Sequence, residues 1–70
     1  MSTVHVSGDA DAVRLRKGDS YVALSRVPAG TYTVVATFAG VEADAGSVSI
    51  GEGEQVNLRC SKAFLRCTRK

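Results

Sequence analysis

The sequence predicts an all-β chain folded as a small antiparallel β-sandwich of six to seven short strands. Apolar and polar residues alternate with a period of two in segment after segment, and turn-forming residues fill the breaks between them. Those breaks recur about every 8 to 12 residues, the spacing of small two-sheet proteins whose strands are each wet on one face. No segment carries a helical period.

Taken in order, Thr3-Val4-His5-Val6 points Val4 and Val6 inward, and Ala12-Val13-Arg14-Leu15-Arg16 does the same with Val13 and Leu15. Tyr21-Val22-Ala23-Leu24 is a weaker, shorter strand. The clearest alternation is Thr31-Tyr32-Thr33-Val34-Val35-Ala36-Thr37-Phe38. Tyr32, Val34, Ala36 and Phe38 share one face there, and Thr31, Thr33, Val35 and Thr37 share the other. Ser47-Val48-Ser49-Ile50 turns Val48 and Ile50 inward, and Gln55-Val56-Asn57-Leu58-Arg59-Cys60 turns Val56, Leu58 and Cys60 inward.

Turn chemistry separates these segments. Val27-Pro28-Ala29-Gly30 puts proline where its fixed φ suits the second turn position and glycine at the fourth, immediately before the best strand. Gly51-Glu52-Gly53-Glu54 separates two alternating segments by four residues, so residues 47 to 60 are expected to form a β-hairpin. Ser7-Gly8-Asp9 and Lys17-Gly18-Asp19 are further turns.

The run VPAGTYTVVATFAG, followed by SVSIGEGEQVNLRC, resembles the PEGA domains of bacterial proteins. The residues that match are Val27, Pro28, Ala29, Gly30, Thr31, Tyr32, Val34, Gly40, Val48, Ile50, Gly53, Val56 and Leu58, all within residues 27 to 58. The resemblance implies an Ig-like sandwich akin to the transthyretin-like and carboxypeptidase-regulatory-like domains. It also implies a surface or interaction module, with no catalytic residues to carry over.

Residues 1 to 70 make one domain. A chain this short buries little: ordering costs roughly 1.5 kcal/mol per residue, about the size of the hydrophobic gain, so a staple or a partner is expected. The only large aromatic rings are Tyr21, Tyr32, Phe38 and Phe64. No apolar run approaches the roughly 20 residues of a transmembrane helix. MSTVHVSGDADAV has none of the features of a signal peptide, so no export address is expected in the chain as given, and the initial Met1 favours a free-standing chain.

The net charge of +2 is unevenly placed. Residues 59 to 70, a basic C-terminal hairpin or tail, hold Arg59, Lys62, Arg66, Arg69 and Lys70 without an acid, whereas residues 1 to 58 carry four cations against seven acids. Arg66, Arg69 and Lys70 are therefore candidates for contact with an anionic partner. The β-branched strip Thr31, Thr33, Val35 and Thr37 is the candidate contact surface on the body.

The possible chemical groups are few. His5 is the single histidine and has no metal-spaced companions in sequence. Asp9-x-Asp11 is half of a calcium loop without its later glutamate, and Gly51-Glu52-Gly53-Glu54 lacks the lysine and helix of a phosphate loop. No nucleophile elbow occurs, so neither catalysis nor a cofactor is expected. Cys60 and Cys67 are too few and too widely spaced for a zinc knuckle. They form either a disulfide, which would stabilise by about 2 to 3 kcal/mol and favour an extracytoplasmic or particle-surface setting, or two partly buried thiols. If bonded, they bring Phe64 or Leu65 over the open end of the fold.

The function expected is a non-catalytic interaction or structural module. The alternative is a small subunit of a multimeric particle such as a phage or contractile-injection assembly. A protein partner or self-association is expected. A basic nucleic-acid binder using residues 59 to 70 is the less favoured alternative, and Arg14, Arg16 and Lys17 lack the interleaved aromatic platform of a single-strand reader.

Overall fold

A computed structural model describes residues 1 to 69 and contains strands without helices. Seven strands follow one another: β1 (Thr3–Gly8), β2 (Ala12–Lys17), β3 (Ser20–Val22), β4 (Gly30–Phe38), β5 (Val41–Ile50), β6 (Gln55–Ser61) and β7 (Arg66–Arg69). They form a four-stranded sheet in the order β3-β2-β4-β5 and a three-stranded sheet in the order β1-β6-β7. The two sheets share a single core. The larger sheet contributes Leu15, Tyr32, Val34, Ala36, Phe38, Ala45, Val48 and Ile50, the smaller one Val4, Val56, Leu58, Cys60 and Cys67.

The two-residue period places the core correctly in every strong segment. In β4 Tyr32, Val34, Ala36 and Phe38 are all buried, each at most 2% exposed. Tyr32 also explains the turn before it, because its buried ring extends back to let the hydroxyl donate to the Pro28 carbonyl at 2.5 Å. The phenol thereby satisfies its polar end and fixes the entry of β4.

Three pairings differ from expectation. Residues 47 to 60 are not a hairpin, since β5 and β6 belong to different sheets and residues 51–54 cross between them. The inward residues of two half-buried strands suit a hairpin or a face-to-face pair equally well, so alternation does not decide. The backbone groups of the crossover find other partners. The buried Ser2 hydroxyl donates to the Gly51 carbonyl and accepts from the Glu54 N–H, and a Glu54 carboxylate oxygen accepts from the Gly51 N–H.

The second difference is that the fold is not wholly antiparallel. β1 and β6 run parallel, with Val4 beside Val56 and Val6 beside Leu58. Parallel partners need a long connection, and residues 9 to 54 lie between these two. Third, residues 41 to 46, which carry little alternation, extend β5 to ten residues. Phe38 pairs with Val41 across a two-residue loop in which Ala39 and Gly40 both have positive φ, 50° and 82°. That is the primed turn whose twist matches a hairpin. Further along, a bulge sets Ala45 and Gly46 opposite Val34 and returns Val48 and Ile50 to the core side.

Ala39 is the less suitable residue of that turn, because a side chain costs roughly 1 kcal/mol in the left-handed region whereas asparagine tolerates it. Ala39→Asn is expected to raise stability by about 0.5 to 1 kcal/mol in urea unfolding. An unchanged or lower midpoint would contradict the turn assignment.

Candidate functional site

The most distinctive surface is built by β6 and β7 and the turn between them. Their register opposes Arg59 to Thr68, Cys60 to Cys67 and Ser61 to Arg66. Cys60 and Cys67 are joined as a disulfide across this pair, with Cys60 1% and Cys67 7% exposed. The bond lies on the core side of the hairpin, where it replaces packing that a short edge strand would not supply.

The turn, residues 62–65, projects away from the core. Phe64 is 76% and Leu65 46% exposed, so neither covers the open end of the fold as the sequence suggests. The strand register explains the difference: with Ser61 and Arg66 paired, all four turn residues lie beyond the last rung of the ladder. Leu65 also has a φ of 51°, a left-handed conformation that β-turns usually assign to glycine or asparagine. Asp9 steadies the base of the turn by accepting the Lys62 N–H at 3.1 Å.

Two open concavities flank the exposed phenyl ring. On one side Arg59, Ser61, Phe64, Arg66 and Thr68 surround about 480 Å³. On the other, the turn residues Phe64 and Leu65 and the first β7 residue Arg66 face Ala43, Asp44 and Ser47 of β5 across a cleft of about 600 Å³. The second cleft carries opposite charges on its two walls: Arg66 on the hairpin and Asp44 on the strand. Among the described residues neither is engaged in an ion pair.

Arg69, a candidate for contact with an anionic partner, is engaged within the fold. Its guanidinium donates to the Ser49 carbonyl at 3.2 Å and pairs with Glu54 at 2.7 Å, tying β7 to the edge of β5. The Gly51 N–H first, and then Arg69, hold the Glu54 carboxyl below its usual pKa. Arg66 remains exposed, and Lys70 lies outside the described residues.

The threonine strip is less open than its period implies. Thr31 is exposed and shares a hydrogen bond with Ser49 at 3.2 Å, Thr33 and Thr37 are half-buried, and Val35 is 4% exposed. Val35 stands on the outward face between Arg14 and Asp44. The ion pair of Arg14 with Glu42 links β2 to β5 across β4, while the Arg14 guanidinium lies 4.4 Å from the Tyr21 ring centroid. Long side chains of the flanking strands thus roof the central one, and Val35 is not available as a contact residue.

His5 is exposed beside Asn57. Among the described residues no three His, Cys, Asp or Glu side chains come together as a metal site, and no helix is long and apolar enough to cross a membrane. Sequence reading missed Asp44 entirely, because its meaning depends on the turn that folds up against β5. The pair Phe64-Leu65 carried a signal, two apolar residues in an otherwise basic segment. No protein-family model, curated protein or solved structure matches the chain.

Proposed function

We propose that the chain is a non-catalytic, PEGA-like β-sandwich of Ig-like type that works by protein–protein contact through its β6–β7 hairpin. The observation that carries the reading is the exposure of Phe64 and Leu65 on a turn held by the Cys60–Cys67 bond. An exposed phenyl ring beside arginines is the composition that protein interfaces favour at their centres. A clamped hairpin presents such a group with little ordering entropy left to lose on binding. The half-buried Thr33 and the exposed Arg66 line the cleft beside this contact, and Thr31 and Val35 do not.

A photo-crosslinking residue at position 64, compared with one at Asn57, tests the reading in cells that make the protein. Asn57 is exposed on β6, well before the turn. Crosslinked protein adducts are expected at position 64 and few at position 57. Equal adduct formation at both positions, or none at position 64, would overturn the proposal.

A further inference from the structure

We infer that the cleft between β5 and the β6–β7 turn docks a second copy of this chain. The inference rests on the proposal that the hairpin makes protein contacts, and it names the partner. A two-fold dimer requires a patch that complements itself, so each charged wall must meet the opposite sign when the patch is turned through half a rotation.

This cleft has that form. Arg66 stands with Phe64 and Leu65 on one wall, and Asp44 stands with Ala43 on the strand wall. A two-fold axis through the cleft lays the turn of one copy against β5 of the other. Arg66 then faces the partner copy's Asp44, Asp44 faces the partner copy's Arg66, and the two exposed Phe64 rings enter the apolar centre. Both charged side chains are exposed and, among the described residues, outside any ion pair, so no internal bond is broken on docking.

Charge also argues against the two polyanionic surfaces. A membrane of acidic lipids or a nucleic-acid backbone presents one sign throughout and meets Asp44 on one flank of the turn and Asp9 at its base. A second copy supplies both signs. The cleft is lined by eight residues, fewer than the roughly 20 to 30 a side of a standard interface, so association is weak and depends on concentration and salt.

Light scattering over a concentration series tests this with four proteins. The wild-type chain is expected to approach twice its monomer mass at high concentration and to fall back in high salt. Asp44→Arg and Arg66→Asp are each expected to weaken self-association at least tenfold, since each homodimer then faces like charges. Mixed in equal amounts, the two variants are expected to associate, because one now carries two cations and the other two anions at the matched positions. Leu65→Gly relieves the left-handed residue, so it is expected to melt no lower than wild type while still losing association. Cooperative melting of each variant confirms that it is folded.

A wild-type chain that stays monomeric throughout, variants that associate like wild type, or a mixture that remains monomeric would each overturn the inference. The proposal it rests on fails separately. Adducts at position 64 to other proteins, with a monomeric chain, would leave the hairpin as a contact site and remove only the second copy as its partner.

Discussion

Phe38→Ala is expected to lower stability by about 3 to 5 kcal/mol and to leave much of the chain unfolded at 25 °C, since domains of this size have little stability in reserve. Phe38 closes β4, is 2% exposed, and is the largest apolar side chain that the central strand adds to the core. No other phenylalanine can take its place, because Phe64 lies on the surface. Truncation leaves a cavity between the two sheets next to the tight Ala39-Gly40 loop, where the backbone has little freedom to collapse into the gap. Urea unfolding followed by circular dichroism measures the effect. A variant that unfolds cooperatively at a urea midpoint close to that of wild type would show that the core is not organised around β4.

Gly8→Ala is the second large effect, and its cause lies in the backbone. Gly8 has a φ of 100° and sits opposite Cys60 in the parallel pair of β1 and β6. A Cβ built there falls 2.1 Å from the Cys60 carbonyl oxygen, the same oxygen that accepts the Asp9 N–H. Strain from positive φ alone costs of order 1 to 3 kcal/mol, and the backbone collision adds to it by forcing the end of β1 away from β6. Gly40→Ala is the control: φ is 82°, yet a Cβ there meets nothing within 4 Å. Gly8→Ala is expected to destabilise at least about 2 kcal/mol more than Gly40→Ala, the collision being the difference. Equal effects would mean that β1 and β6 are not in this register.

Legibility in the sequence follows from what each signal encodes. The alternation in β4 encodes burial, and Tyr32, Val34, Ala36 and Phe38 all lie in the core as it requires. It does not encode which strand lies beside which, so it suggests a pairing of β5 with β6, which instead lie in separate sheets. The parallel neighbour of β6 lies about fifty residues earlier, in a segment with no local mark of that pairing. Val35 shows a related limit. Period two gives the side of the sheet correctly, whereas its burial depends on the strands on either side, between which Arg14 and Glu42 pair across β4.

The candidate site was legible in part for the same reasons. Cys60 and Cys67 were recognisable as a pair, and their spacing fits a hairpin closed by a disulfide. Arg69 could not be distinguished from Arg66 by position in the chain. Only the fold places Arg69 against Ser49 and Glu54 and leaves Arg66 at the cleft. Exposure of Phe64 and Leu65 likewise depends on the register of β6 with β7, which sets where the ladder ends.

The proposed role depends above all on residues 59 to 69 being an ordered, clamped hairpin. Amide hydrogen exchange by NMR, with and without reductant, measures that directly. With the disulfide intact, amides of β6 and the inward amides of β7 are expected to exchange slowly, together with those of β4. On reduction, protection should fall first in β7 and the turn, while β2 and β4 keep theirs, because their core contacts do not depend on the bond. Rapid exchange throughout residues 59 to 69 in the oxidised protein would contradict a clamped hairpin, and with it the contact surface built on Phe64 and Leu65.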